Sequence, residues 1–150
     1  MKAVVQKVSK AKVDVDGKTI AKIDRGLLVL LAITHSDDMN VVEWMGNKIA
    51  NLRIFPDPDG KMNLSALDTG AEVLLVSNFT VYGDTQKGYR PSFSKAAPPD
   101  ISEQIYNVMI KYMRRNFPLT IQYGEFGAMM DVELINDGPV TVILEKESNQ

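Results

Sequence analysis

The chain has no cysteine and a single histidine, His35. The first absence excludes disulfides, thiolate nucleophiles and thiolate zinc sites. The second excludes a two-histidine metal site within one subunit, and no loop shows the ligand spacing of a carboxylate site for a hard cation. No metal and no cofactor are expected. No apolar run approaches the roughly 18 residues that suggest a membrane span. The opening Met1-Lys2-Ala3-Val4-Val5-Gln6-Lys7 lacks the apolar stretch and cleavage site of a signal peptide. A cytoplasmic location without membrane contact is the expectation. A basic excess is missing as well: the net charge is −2, whereas phosphate contacts give a nucleic-acid binder a positive footprint. DNA binding is not expected, and any RNA contact has to be local.

What is present is an ordinary globular composition, 45% hydrophobic and 24% charged over 150 residues, which suits one domain spanning residues 1–150. Residues 3–15 alternate loosely between apolar and polar, and Asp16-Gly17 is a hairpin signal before a second strand over 18–23. Gly26 opens Leu27-Leu28-Val29-Leu30-Leu31-Ala32-Ile33, a strand-length apolar run that predicts burial on both faces. Ser36-Asp37-Asp38 can cap a helix whose apolar stripe is Val42, Met45, Ile49 and Leu52. Short strands are expected at Arg53-Ile54-Phe55 and over 72–82, followed by a polar loop over 83–99, long enough to suggest function. A second helix follows Pro98-Pro99-Asp100, with Ile101, Ile105, Val108 and Tyr112 on its expected buried face. Its terminal Lys111, Arg114 and Arg115 complement the helix dipole. Strands over 119–123, 129–135 and 140–144 and a frayed polar tail from Glu145 complete the chain. The fold class is mixed α/β, with curved, barrel-like sheets and two main helices outside.

Three segments can carry chemistry. Ser77-Asn78-Phe79-Thr80 lies near the end of the 72–82 strand, where period-two geometry puts Asn78 and Thr80 on one face and Ser77 and Phe79 on the other. Two hydroxyls, an amide and an aromatic there can orient a small substrate; the same residues also suit the plain end of a strand. No Gly-x-Ser-x-Gly elbow exposes a serine, and His35 reads as a surface or capping residue, so no triad follows. Lys87-Gly88-Tyr89-Arg90-Pro91-Ser92-Phe93 interleaves basic and aromatic residues, a pattern that suits phosphate contact with base stacking. Lys87 and Arg90 are its candidate RNA phosphate contacts, beside the plainer reading of a solvated loop. Asn136-Asp137-Gly138-Pro139-Val140-Thr141 would ordinarily be an Asp-Gly hairpin, but Pro139 removes an N–H where the next strand begins. Gly138–Pro139 is thus a candidate cis peptide, and a cis bond would present backbone carbonyls with no reactive side chain.

Taken together and in order, these segments resemble the D-aminoacyl-tRNA deacylase family over nearly the whole chain. The similarity runs through Gln6-Lys7-Val8, Gly26 to Leu31, Leu52-Arg53-Ile54-Phe55 and Gly60-Lys61-Met62-Asn63. It continues through Ser77-Asn78-Phe79-Thr80, Arg90-Pro91-Ser92-Phe93, Phe126-Gly127-Ala128-Met129-Met130 and Asn136-Asp137-Gly138-Pro139-Val140-Thr141. The resemblance implies hydrolysis of the ester joining a D-amino acid, or mischarged glycine, to tRNA. It implies a homodimer in which a cis Gly138-Pro139 from one subunit enters the other's active site and excludes L-aminoacyl side chains. Ser77, Asn78, Phe79 and Thr80 would line the pocket, with Phe126 and Met129 also binding substrate. Thr80 and Ser77 are the candidate catalytic residues; the alternative assigns cleavage to backbone groups and the tRNA 2′-hydroxyl. Asn78 departs from the family's glutamine, and Tyr89 stands where a smaller polar residue is common. Two other readings stay open: a small-molecule esterase using Thr80 or Ser77, and a dimeric aminoacyl-tRNA- or RNA-binding module without catalysis.

Overall fold

A computed structural model describes residues 1–148. Asp16 and Gly17 both take positive φ, 51° and 75°, closing the tight turn between β1 (Lys2–Val15) and β2 (Lys18–Ile23). β1 is the organising strand. Its first half pairs antiparallel with β3 (Gly26–Ala32), its second half with β2, and nearly its whole length with β8 (Asp131–Glu145). β3 then pairs parallel with β6 (Glu72–Ser77), and β6 parallel with β7 (Ile121–Tyr123), so the main path runs β2-β1-β3-β6-β7. The two parallel steps need crossovers. α1 (Met39–Asn51) lies in the first and α3 (Pro99–Asn116) in the second. A short hairpin of β4 (Phe55–Pro56) and β5 (Met62–Leu64) and the one-turn α2 (Ala66–Thr69) also lie in the first crossover.

The curved sheet is buried on both sides. Leu27, Val29 and Leu31 of β3 and Val73 and Leu75 of β6 face the helices, together with Met45 and Ile49 of α1. Leu28, Leu74 and Val76 point the other way, onto Val8, Val13 and Ile23. Alternate residues of one apolar run thus feed two cores, as its continuous hydrophobicity predicts. Each such side chain contributes roughly 1.5–3 kcal/mol on burial. The β3–β6 pairing starts at Gly26 opposite Glu72, where a Cβ would lie 1.9 Å from the Glu72 carbonyl oxygen. Only glycine fits there.

Four expectations need correction. The strand over 72–82 ends at Ser77, because the Asn78 side chain accepts from the Thr80 N–H at 3.2 Å and winds Phe79–Tyr82 into a 3-10 turn. The period-two faces assigned to Asn78, Phe79 and Thr80 lapse with it. The strands over 129–135 and 140–144 are one strand, β8; Asp137 and Gly138 form an irregularity inside it rather than a hairpin. α3 buries Ser102, Tyr106, Met109 and Met113, one position round from the predicted stripe, leaving Ile101 and Val108 each 39% exposed. Both stripes have helical spacing and each carries a tyrosine; the core takes the one with Met109 and Met113, whose unbranched side chains fill irregular space. Finally, the tail does not fray at Glu145: that residue pairs with Lys2, and the Lys146 N–H donates to the Met1 carbonyl at 3.0 Å. Residues 149–150 lie outside the described residues.

Candidate functional site

β6 delivers Ser77 to the end of the sheet, and the Asn78 N–H extends the ladder by donating to the Leu31 carbonyl at 2.8 Å. The chain then turns sharply. The Asn78 side-chain oxygen accepts from both the backbone N–H and the hydroxyl of Thr80, so the amide acts as cap and as the Thr80 hydroxyl's acceptor. This turn leaves Phe79 54% exposed, its ring packed edge-on against Phe93 at 5.2 Å. The loop that brings Phe93 back is tied by the reciprocal Asp84–Ser92 backbone pair and by the Ala97 N–H donating to Ile33.

These elements enclose a cavity of about 840 Å³, within the size range of small-molecule sites. Ser77, Asn78, Phe79 and Thr80 form one wall and Leu31, Ile33 and Val76 the floor. Phe126 to Met130, reached from β7, form the opposite wall. That wall is pinned from beneath by Tyr106, whose buried hydroxyl lies 3.0 Å from the Leu75 carbonyl and 2.9 Å from that of Gly124. Met129 stands at the lip, 89% exposed. Burial pushes the Tyr106 phenol up, out of reach of ionisation.

Among the described residues no ionisable side chain lines this cavity. His35 is exposed, its Nε2 2.9 Å from the Ser94 carbonyl, and it is not among the lining residues. The acceptor beside the Thr80 hydroxyl is an amide oxygen, which binds the proton without removing it. Among the described residues no cluster of His, Cys, Asp or Glu is placed to hold a metal ion. The cavity can orient an ester by shape, hydroxyls and backbone. It offers no protein base.

Six of the sequence-predicted site residues therefore meet: Ser77, Asn78, Phe79, Thr80, Phe126 and Met129. Gly138 and Pro139 do not join them. They are exposed on β8, with the Gly138–Pro139 bond cis and Gly138 at φ 141°. The segment is held from behind: the Asn136 amide donates to the Val140 carbonyl at 3.0 Å and accepts from the Val140 N–H at 3.2 Å. Buried Lys7 reaches Asp137 at 3.8 Å. Lys87 and Arg90 are exposed in the loop and do not line the cavity. Sequence reasoning did not single out Pro98, Ser102 or Met130, all of which line it. Ser102 gives no signal in the sequence, because it sits on the helix face that the misplaced stripe would have turned to solvent.

The D-Tyr-tRNA(Tyr) deacylase family model matches residues 4–145. A protein of Thermosipho africanus named D-aminoacyl-tRNA deacylase is 51% identical over 147 residues, covering 98% of each chain. A Geobacillus protein of the same name is 51% identical, covering 98% of this chain and 96% of its own. Among solved structures, a chain described as c-Myc DNA Unwinding Element Binding Protein superposes with TM-score 0.94 at 43% identity, covering 99% of this chain and all of that one. A second, described as "a probable eukaryotic D-amino acid tRNA deacylase", superposes with TM-score 0.78 at 16% identity, covering 95% of this chain and 97% of its own, a likeness of fold. With the family model spanning almost all of the chain and relatives sharing half of its residues, the chain belongs to the D-Tyr-tRNA(Tyr) deacylase family.

Proposed function

We infer that the chain hydrolyses the ester bond of D-aminoacyl-tRNA, including mischarged glycyl-tRNA, to free amino acid and tRNA. Family membership supports the activity, and one observation carries the chemistry: an 840 Å³ cavity walled by Ser77 to Thr80 and empty of ionisable groups. Water adds to the ester carbonyl, the carbonyl–oxygen bond to the ribose breaks, and the proton leaves with the ribose oxygen. With no ionisable side chain among the residues that line the cavity, the 2′-hydroxyl beside the ester relays that proton, while the turn at Asn78 to Thr80 orients the carbonyl. Thr80 is a positioning group in this scheme, not a nucleophile. Phe79 and Phe93 offer aromatic surface to the terminal adenosine, and Lys87 and Arg90 contact phosphates beyond it.

Selectivity comes from a second copy of the chain. β8 is 15 residues long and, among the described residues, pairs as a strand only with β1. It also exposes Ile135 by 50% and Ile143 by 62%, an open edge and an apolar surface of the kind that pairing covers. In the homodimer, the exposed Gly138-Pro139 tip of one subunit closes the partner's cavity against L side chains and admits D-aminoacyl groups and glycine. Such selectivity acts by rejection and needs rigid backbone rather than charge. Among the described residues no helix is long and apolar enough to cross a membrane, and a cytoplasmic location follows from the substrate. The test is hydrolysis of D- and L-tyrosyl-tRNA by purified protein. Release of tyrosine from the D substrate alone is expected; equal or absent release from both would overturn the reading.

A further inference from the structure

Behind the Phe79–Tyr82 turn lies a second cavity, of about 440 Å³, that the deacylase reading does not use. It shares a wall with the first. Ile33 lines one cavity and Thr34 the other; Ala96 faces the first and Lys95 the second; Thr80 borders the first while Tyr82 and Gly83 border the second. At three separate points the partition is one or two residues thick. The two spaces differ completely in character: the first is apolar and without charge, whereas the second carries Lys2, Lys95, Asp84, Glu145 and Glu147.

The second cavity also borders an unmet polar group. Tyr82 is only 6% exposed, and its hydroxyl has no hydrogen-bond partner among the described residues. Burial first, then the carboxylates of Asp37, Glu145 and Glu147, push this phenol up, so it stays a donor at any working pH. Two of those carboxylates, Glu145 and Glu147, line the cavity together with Tyr82. Native proteins rarely leave a buried hydroxyl unpaired; this one has almost no exposed surface, so a group in the cavity reaches it only if the Tyr82 ring shifts.

The charges narrow the ligand. Asp84 is already engaged, accepting from the Gln86 N–H at 2.9 Å. That bond leaves the Asp84 charge in place, so three carboxylates meet Lys2 and Lys95, a slightly acidic set that does not favour a free polyphosphate. It suits a group with one phosphate for the ammoniums and a hydrogen-bond donor for the carboxylates. Cytosine presents such a donor in its N4 amine, for which Glu and Asp are the natural acceptors. The acceptor end of tRNA has cytidine immediately before its terminal adenosine.

We propose that this second cavity binds the cytidylate preceding the terminal adenosine, with Glu145 accepting from the base amine and Lys95 and Lys2 meeting the phosphate. The proposal rests on the deacylase reading, because it needs the adenosine in the neighbouring cavity. It makes the Phe79–Tyr82 turn a divider between two successive nucleotides and gives an acidic protein a local means of recognising RNA.

The test is equilibrium binding of the uncharged dinucleotides cytidylyl-adenosine and uridylyl-adenosine to the intact protein. Uracil carries a carbonyl where cytosine has its amine, so the cytidine compound should bind about tenfold more tightly. Glu145→Gln, whose amide can donate or accept, should reduce that preference to within about twofold, and Tyr82→Phe should reduce it in part. A melting temperature close to wild type shows that both variants fold. Equal binding of the two dinucleotides to wild type, or a preference that survives both substitutions, overturns the proposal. Because uncharged dinucleotides are not hydrolysed, a cytidine preference in a protein inert toward D-tyrosyl-tRNA would overturn the deacylase reading and leave the subsite standing.

Discussion

The turn that ends β6 and the irregularity inside β8 behave in opposite ways. The turn at residues 77–82 faces inward, onto a cavity that its own chain floors with Leu31, Ile33 and Val76 and lips with Met129. The segment at residues 136–140 is fastened from behind by the Asn136 amide and Lys7, yet its Gly138-Pro139 tip is exposed and lines neither of the two cavities described above. One borders a cavity; the other, on the proposed reading, is a closing element that needs a cavity from elsewhere. The difference teaches that the cavity and the Gly138-Pro139 segment are built on separate parts of the chain; the proposed dimer is what would bring them together.

The largest effect that separates the two should come from Gly138→Ala. A Cβ there would fall 2.7 Å from the Val140 backbone nitrogen and 2.6 Å from its Cγ2, at a φ of 141° that L residues avoid. The tip must move while the pocket stays intact. Hydrolysis of L-tyrosyl-tRNA should rise on the order of a hundredfold, a loss of roughly 3 kcal/mol of rejection, with D hydrolysis little changed. A variant that still refuses the L substrate would remove the tip from the account. Tyr106→Phe attacks the pocket side instead. Removing the hydroxyl shared by two buried carbonyls should cost about 1–3 kcal/mol in urea unfolding. It should also lower activity on D substrates without admitting L substrates; relaxed selectivity would mean that the pocket wall, not the tip, rejects. The smallest effect is expected from Thr80→Ala. If the hydroxyl only positions substrate, kcat/KM should fall less than about tenfold, under ~1.4 kcal/mol. A folded Thr80→Ala protein that binds substrate and is inert would restore the nucleophile.

The sequence made the frame of this division readable, and its turns less so. The run from Leu27 to Ile33 announces a strand buried on both faces, and the alternation between two cores follows directly. Asp16-Gly17 announces its hairpin for the same local reason. The turn at Asn78 was hidden, because Phe79, Thr80, Val81 and Tyr82 are all good strand formers; one side-chain cap outweighs them. Asp137-Gly138 misled in the opposite direction. Its local preference is a hairpin, but both flanks pair with the same strand β1, so the chain continues straight and absorbs the extra residues as register shifts at Val8. α3 shows a third limit: two helical stripes one residue apart are indistinguishable by period, and only packing chooses Tyr106 over Ile105. The candidate site was legible as segments, through family resemblance, while Pro98, Ser102 and Met130 required the fold to bring them there.

The claim that pocket and tip act across subunits is tested most directly with mixed dimers. One chain carries Ala128→Trp, which fills the cavity from its lip, and the other carries Gly138→Ala. The first homodimer should be inactive, and the second should hydrolyse both D- and L-tyrosyl-tRNA. In the mixed dimer the only open cavity belongs to the Gly138→Ala chain and is closed by the unaltered tip of its partner. The account predicts hydrolysis of D-tyrosyl-tRNA with the L substrate refused. Hydrolysis of both by the mixed dimer would contradict it, because the tip would then be acting on the cavity of its own chain.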